Sequence, residues 1–337
     1  MWIPILLLAV GFVLLIKGGD WFVDGASGIA RRFNLPEILI GATVVSIGTT
    51  LPEVMVSAGA ALQGSGSIAY GNAIGSIICN TALILAITVA IKPGVAARKS
   101  LMLPVAFFFV AAAIYCFSAY VLGDFSRLIG IVLLATFVTY MVMTVLKMKN
   151  APAIENASEA ELEAATGEDH VVESEKAGTK DSLFKDIVLL IIGAAMIAFG
   201  ADLLVDNAIV IAESLGVSEK VIGLTIVALG TSLPELVTAI TALIKGHGSL
   251  SLGNIIGANL FNLVLVSGAA VTINPFEVPV AGLIGGVNSS LVLDIPVMLG
   301  VMLILTVPTL IKQKLYRWQG ITLLGVYAAF CTLQFVI

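Results

Sequence analysis

The chain has 337 residues, of which 59% are hydrophobic and only 12% are charged, and its mean hydropathy is +1.08. A composition this apolar excludes an ordinary soluble domain. It predicts an integral membrane protein whose surroundings are the lipid bilayer, with no nucleic-acid partner and no obligatory protein partner evident.

Apolar stretches of about 20 residues recur along the chain, and each is long enough to cross a hydrocarbon core of roughly 30 Å. Because a membrane helix satisfies its own backbone hydrogen bonds, we predict an all-α integral membrane protein with ten transmembrane helices. The predicted spans are 2–29, 36–63, 67–91, 100–121, 126–147, 184–212, 219–244, 249–272, 288–311 and 317–337.

The first span and the cysteines have simple interpretations. No lysine or arginine precedes the first span, so we predict a retained helix rather than a removed signal peptide. Cys79, Cys116 and Cys331 all fall in predicted spans. We expect small buried apolar residues there rather than a disulfide or a metal site.

The basic residues predict the orientation, because lysine and arginine concentrate in cytoplasmic loops. With the amino terminus outside, 14 basic residues fall in the cytoplasmic loops and two, Arg127 and Lys220, fall outside. We therefore predict that both termini are extracellular or periplasmic, in the plasma or inner membrane.

One segment, 150–182, breaks the apolar pattern with nine acidic residues and two lysines. It cannot bury enough apolar surface to fold alone, and it lacks the spacing of an EF-hand calcium loop. We predict a flexible acidic cytoplasmic linker at 148–183 between a first five-helix half at 1–147 and a second at 184–337.

The two halves are related by an internal repeat. With an offset of 182 residues, 17 of 40 positions are identical between 41–80 and 223–262. The copies, at about 36–91 and 219–272, are five spans apart, and five is odd. The second copy therefore runs through the membrane in the opposite sense, which predicts two inverted-topology five-helix repeats of the kind found in secondary transporters.

Upstream of the copies, the same offset pairs Asp20 with Asp202 and Asp24 with Asp206. These acids lie near the ends of predicted spans. A structural role is favoured for them, with a place on an ion access path as the alternative.

The hexapeptide GTTLPE at 48–53 returns as GTSLPE at 230–235. Helical spacing places Thr43, Ser46, Thr50 and Glu53 on one polar stripe. Pro52 has no N–H, so the carbonyl of Gly48 loses its helical partner. A free carbonyl and an acid are costly in lipid but become ligands beside an ion cavity, which predicts a functional site.

A second motif pair supplies amides. GNAIGSIICN at 71–80 places Asn72, Ser76 and Asn80 on one face, and GNIIGANLFN at 253–262 places Asn254 and Asn262 there. A site built from carboxylates, hydroxyls, amides and carbonyls suits hard cations such as Ca²⁺ or Na⁺. The structural alternative is that the threonines bond to their own helix and the asparagines join helices.

The motifs also contain the GxxxG pairs expected to let helices pack closely, which are Gly71 with Gly75 and Gly253 with Gly257.

Together these motifs resemble the α-repeats of the cation/calcium exchanger superfamily, particularly its prokaryotic sodium/calcium exchanger branch. The resemblance covers both copies and the layout of the whole chain. It implies a Ca²⁺ site bridged by Glu53 and Glu235, completed by the main-chain carbonyls of Thr49 and Thr231. It also implies flanking and overlapping Na⁺ sites, formed by Ser46, Thr50, Ser76, Asn80, Ala228, Ser232 and Asn262.

The chain departs from the family pattern at Ala258, which lacks the hydroxyl expected at one sodium site. At position 262 an acid is associated with potassium-dependent relatives, and Asn262 makes potassium coupling less expected.

The resulting prediction is a Na⁺/Ca²⁺ antiporter that transports both ions and has no cofactor. A proton/calcium antiporter, with Glu53 and Glu235 carrying protons, is the nearest alternative, and a cation channel is less favoured. An enzyme is not expected, because His170 and His247 are the only histidines and both fall in predicted loops.

Overall fold

The computed structural model describes residues 2–33, 35–150, 180–215, 230–280 and 282–336. Among these residues, eight helices are long and apolar enough to cross a membrane, in agreement with an all-α membrane protein. Two further helices, Leu233–Ile244 and Arg317–Val336, are 12 and 20 residues long. The bounds are Trp2–Arg32 (α1), Glu37–Leu62 (α2), Gly66–Ile91 (α3), Arg98–Leu122 (α4), Arg127–Asn150 (α5), Lys180–Ser214 (α6), Leu233–Ile244 (α7), Gly248–Ile273 (α8), Ser290–Lys312 (α9) and Arg317–Val336 (α10).

Two of the sequence predictions concern segments that lie partly outside the described residues. The predicted span 219–244 includes residues 219–229, and the predicted linker 148–183 includes residues 151–179. Within the described part of the linker, α5 continues to Asn150 and α6 already begins at Lys180.

Several helices contain a π-helical turn, which has a wider hydrogen-bonded ring than an α-helical turn and is frequent at functional sites. Two of the turns begin at Asn80 and Asn262, the paired amides of the second motif. The π turns of the described residues are Gly41–Val45, Asn80–Leu85, Ser118–Leu122, Asn262–Val266 and Ser290–Asp294.

Four two-residue strands lie in the connections between helices. Asp124–Phe125 (β1) pairs antiparallel with Phe276–Glu277 (β2), and Leu283–Ile284 (β3) pairs antiparallel with Val287–Asn288 (β4). The β3–β4 turn is Gly285–Gly286, with φ of 59° and 84°, values that glycine tolerates in a tight hairpin. The sequence did not predict these strands because two residues carry no measurable alternation.

The two motif-bearing helix pairs, α2 with α3 and α7 with α8, pack together at the centre of the molecule. Of the eight long apolar helices, α8 is the most buried. In its most apolar 18-residue stretch, 83% of the residues are buried, compared with 22% in the corresponding stretches of α1 and α6. Helices α1 and α6 pack against each other along their length. The polar motifs therefore lie inside a shell of apolar helices.

Candidate cation site

Helix α2 carries the first polar stripe into the interior. Ser46, Thr49, Thr50 and Glu53 are all buried, with exposures of 2% or less. The hydroxyl of Ser46 lies 2.7 Å from the carbonyl oxygen of Gly41, the first residue of the π turn Gly41–Val45. This contact links the π turn to the polar stripe. Thr43, which the spacing placed on the same stripe, instead donates to the Leu39 carbonyl at 2.7 Å, four residues back in its own helix.

Glu53 is the charged member of the stripe and is fully buried. Neither of its carboxylate oxygens has a hydrogen-bond partner among the described residues. Pro52 lies inside the helix, so the Gly48 carbonyl has no amide donor from that position. A buried acid without a partner, in a helix that also has a freed carbonyl, is an arrangement that a bound cation stabilises.

The second copy reaches the same chemistry with a different backbone. Thr231 and Ser232 form a turn, and helix α7 begins only at Leu233. Glu235 therefore lies in the first helical turn, where the helix dipole favours a negative charge. It is fully buried, and its two oxygens also lack partners among the described residues, as does the hydroxyl of the buried Ser232.

Glu235 repels Glu53 electrostatically, and the prolines that precede the two acids, Pro52 and Pro234, line one crevice. The side chain of Thr49 also approaches Glu235, without reaching hydrogen-bond geometry. The described residues contain no cluster of three or more histidine, cysteine or acidic side chains. The central charge is thus that of two carboxylates, which together match one divalent cation.

A crevice reaches the two motif prolines from the side of α1 and α6. It is lined by Gly48, Thr49 and Pro52 of α2 and by Pro234 of α7. Its opposite wall is formed by Phe22 of α1 and by Ala194, Ile197 and Ala198 of α6. The two copies of the hexapeptide therefore border one common space.

The paired amides, Asn80 and Asn262, are both fully buried but differ in how they are held. Neither polar atom of the Asn80 amide has a partner among the described residues. In Asn262, the nitrogen donates to the Ala258 carbonyl at 3.0 Å and only the oxygen is left without a partner. Ser76, one turn before Asn80, is 4% exposed. Both amides thus have oxygen available for a hard cation.

The other two motif asparagines join helices, as the structural alternative predicted. Asn72 donates to the Glu53 carbonyl at 3.2 Å and to the Ser57 hydroxyl at 2.9 Å. The side-chain oxygen of Asn254 accepts from Thr49 at 3.2 Å, and its carbonyl lies 2.9 Å from the Ser46 hydroxyl. The first pair of contacts holds α3 on α2, and the second holds α8 on α2.

The GxxxG pair of the second copy lies where α8 and α2 approach closely. A Cβ on Gly253 would collide with the backbone of Ile38, and one on Gly257 would collide with Ser46 and Ala42. For Gly71 and Gly75, no described atom lies within 4 Å of such a Cβ. The 182-residue offset pairs Ile38 and Ala42 with positions 220 and 224, which are outside the described residues, so close packing at Gly71 and Gly75 stays a prediction.

Several polar residues near the motifs were not identified from the sequence. Asn259 donates to the Thr81 hydroxyl at 2.7 Å and lies 3.3 Å from the sulfur of Met302. Thr238, one turn after Glu235, is fully buried and its hydroxyl has no partner among the described residues. Thr238 could have been identified from the sequence, because a residue three positions after Glu235 lies on the same face of a helix.

The paired aspartates have different surroundings in the two copies. The ammonium of Lys245 lies 2.8 Å from the Asp24 carboxylate and 3.5 Å from that of Asp20. This ion pair joins α1 to the end of α7 and supports the structural role favoured from the sequence. Asp202 and Asp206 are exposed. Ala228, predicted at a sodium site, lies outside the described residues, and Thr231 is partly buried.

Comparison with known proteins gives consistent results. The family model for sodium/calcium exchanger proteins matches residues 3–146 and 185–336. The chain is 35% identical over 327 residues to the uncharacterized membrane protein MJ0091 of Methanocaldococcus jannaschii, covering 94% of this chain and 93% of the relative. It is 31% identical over 354 residues to the sodium/calcium exchanger MaX1 of Methanosarcina acetivorans, covering 98% of each.

Solved structures agree as well. A structure of the sodium-calcium exchanger NCX_Mj, soaked with Na⁺ and Ca²⁺, matches this fold with a TM-score of 0.76 at 33% identity, covering 97% of each chain. The fold, the family model and the full-length relatives lead to one conclusion: this chain is an integral membrane protein that belongs to the sodium/calcium exchanger family, whose members are transporters that exchange cations for Ca²⁺.

Proposed function

We propose that this chain is a Na⁺/Ca²⁺ antiporter whose central site is bridged by Glu53 and Glu235. The observation that carries the proposal is the pair of fully buried carboxylates, which have no partners among the described residues and whose neighbouring prolines, Pro52 and Pro234, line one crevice. Two buried negative charges without compensation are very costly, and one Ca²⁺ compensates both.

The neighbouring oxygens suit the two ions in different ways. The carbonyls of Thr49 and Thr231 complete the Ca²⁺ site, and the freed Gly48 carbonyl lies in the same turn as Thr49. The carbonyls of Ser46 and Ala228, the hydroxyls of Thr50, Ser76 and Ser232 and the amides of Asn80 and Asn262 hold Na⁺ at overlapping positions. Support comes from the unpartnered polar atoms of Thr50, Ser232, Asn80 and Asn262.

Exchange follows from the charge balance. Either Ca²⁺ or a set of Na⁺ ions neutralises Glu53 and Glu235, whereas the empty site keeps two unpaired charges in a low-dielectric interior. Only neutralised states then cross the membrane barrier at low cost, so the two ions move in exchange and do not leak. The alternating access itself comes from ten spans arranged as two inverted five-helix repeats, at 1–147 and 184–337.

The test is ion flux in vesicles. Full-length protein is reconstituted into liposomes loaded with Na⁺, and uptake of radioactive Ca²⁺ is measured with the Na⁺ gradient present, collapsed, or replaced by a pH gradient. We expect uptake only with the Na⁺ gradient. Vesicles without protein and the surface variant Glu277→Gln are the controls. Uptake that ignores Na⁺ and follows the pH gradient would establish proton/calcium exchange instead.

The proposed orientation has both termini outside the cell or in the periplasm and the acidic linker 148–183 in the cytoplasm. It is supported by the 14 basic residues in the loops assigned to the cytoplasm. Reporter fusions after residue 337 and within the linker test it in the plasma or inner membrane. An active cytoplasmic reporter at the carboxyl terminus contradicts the orientation.

A further inference from the structure

A pocket lies at the end of the bundle where α3 and α7 end and α8 begins. It has about 530 Å³ of empty space, part of which is open to solvent. Its polar lining includes Lys92, Ser249 and Ser251, and its apolar lining includes Leu243 and Leu315. The loops around it are among those that the charge pattern assigns to the cytoplasm.

The amino terminus of α8 forms one wall of this pocket. Helix α8 begins at Gly248, and His247 before it makes no side-chain cap. The imidazole of His247 instead lies 2.7 Å from the Glu37 carboxylate. The first amides of a helix have no partner inside the helix, and the helix dipole adds positive potential there. Such a terminus binds anions, phosphate in particular.

Two side chains add independent evidence for a ligand. Ser251 is 2% exposed and lines the pocket, yet its hydroxyl has no hydrogen-bond partner among the described residues. Lys92 ends α3 at the pocket and is exposed, with no ion pair to any described residue. A buried hydroxyl without a partner is costly unless a ligand supplies one.

The equivalent helix start in the other copy provides an internal comparison. The 182-residue offset pairs Gly248 with Gly66, the first residue of α3. A Cβ on Gly66 would collide with the ring of Phe276, so that helix start is covered by an aromatic side chain. At Gly248, no described atom lies within 4 Å of such a Cβ.

The same offset explains why the pocket exists in only one copy. It pairs Phe276 with Gly94, so the residue that covers the first helix start is replaced by a glycine that lines the pocket. It also pairs Ala69 with Ser251 and Asn274 with Lys92. The start of α8 therefore lacks the covering ring that is present at the start of α3. It has instead the Ser251 hydroxyl and the Lys92 ammonium beside it.

We propose that this pocket binds a phosphate group, held by the first amides of α8, the hydroxyls of Ser249 and Ser251 and the ammonium of Lys92. The combination of several donors with one cation matches an oxyanion with several acceptor oxygens. Two sources carry this chemistry, free phosphate and the headgroup of an anionic lipid, whose chain the apolar lining accommodates. Two neighbouring side chains already have partners, Lys245 with Asp24 and His247 with Glu37.

The experiment measures binding and is independent of transport. Purified full-length protein in detergent is titrated by calorimetry with inorganic phosphate, with dioctanoyl phosphatidate and with phosphate-free dioctanoylglycerol. We expect phosphatidate, phosphate or both to bind and dioctanoylglycerol not to bind. Phosphatidate binding much more tightly than phosphate identifies a lipid headgroup as the source, and equal affinities identify free phosphate.

Four variants complete the test. Lys92→Gln weakens binding about tenfold and Ser251→Ala about threefold, as expected for one charge-assisted and one neutral hydrogen bond. Gly94→Phe introduces the covering ring of the other copy and abolishes binding. Lys99→Gln, which changes an exposed lysine in the first turn of α4 outside the pocket, leaves binding unchanged. Equal binding of dioctanoylglycerol, wild-type affinity in Gly94→Phe, or no binding of either phosphate probe overturns the proposal.

Discussion

The two copies of the acidic hexapeptide have nearly the same sequence but lie in different backbones. In the first copy, α2 runs through the motif from Ser46 to Leu62 with Pro52 inside it. In the second, the chain turns at Thr231 and Ser232, and α7 begins at Leu233. The motif thus specifies which groups are present at the site, while its surroundings decide how the main chain presents them.

This difference changes how each acid is stabilised. Glu235 lies in the first turn of α7 and benefits from the helix dipole. Glu53 is more than one turn into α2, where the dipole contributes little, and it directly follows Pro52, which leaves the Gly48 carbonyl without an amide donor. At the proposed site, we therefore expect Glu53 to depend more on a bound ion than Glu235 does.

The largest expected effect is the loss of transport when either acid is neutralised, which tests whether both carboxylates are needed to balance the charge of Ca²⁺. Glu53→Gln and Glu235→Gln each remove half of the charge that balances Ca²⁺, which costs about 3 kcal/mol or more. We expect Na⁺-driven Ca²⁺ uptake to fall more than about 100-fold in both variants. Size-exclusion profiles and thermal unfolding show whether each variant is folded. Near-normal uptake in either folded variant contradicts the bridged site.

The next effect tests whether the different main-chain conformations at Pro52 and Pro234 matter for Ca²⁺ binding. Pro52→Ala supplies an amide that pairs with the Gly48 carbonyl, whereas Pro234 is the second residue of α7, where an amide has no acceptor inside the helix. We expect half-saturation for Ca²⁺ to rise about tenfold in Pro52→Ala and less than about threefold in Pro234→Ala. Equal effects in uptake titrations would mean that helix continuity does not matter.

A smaller effect distinguishes the two amides. Both atoms of the Asn80 amide are without partners among the described residues, whereas the Asn262 nitrogen already bonds to Ala258. We expect Asn80→Leu to raise half-saturation for Na⁺ about tenfold and Asn262→Leu only about threefold. The measurement is Ca²⁺ uptake over a series of internal Na⁺ concentrations. A stronger effect of Asn262→Leu reverses the assignment.

The smallest effect concerns the ion pair outside the site. Lys245 pairs with Asp24, and the repeat places Gln63 at the equivalent position of the first copy. Both partners are partly exposed, so Lys245→Gln lowers the free energy of unfolding by only about 0.5 kcal/mol. Thermal unfolding at low and high salt measures this loss, which salt should reduce. A much larger loss would show that the pair is more than a surface contact.

Much of this protein could be predicted from local pattern. Apolar stretches longer than the bilayer is thick require helices, so the membrane class follows from composition and length alone. The repeat identifies Glu53 and Glu235 by comparison of the chain with itself, because a duplicated acid inside an apolar stretch is visible without any structure. Their burial agrees with that prediction.

Other properties depend on contacts between residues that are far apart in the chain. The bonds from α2 to Asn254, the pairing of Lys245 with α1 and the different states of Asn80 and Asn262 all arise when helices pack. The start of α7 at Leu233 was not predictable from a hexapeptide that is continuous helix in the other copy. The pocket at Gly248 likewise exists because Gly94, 154 positions away, lacks the ring that Phe276 provides elsewhere.

The sequence by itself determined the membrane class, the duplication and the set of polar groups, since periodicity, length and residue identity are local properties. Only the tertiary structure decided which of those groups are satisfied by neighbours and which are left for a ligand. The physical reason is that a hydrogen bond or a collision requires two atoms at one place, and helix packing alone brings distant residues there.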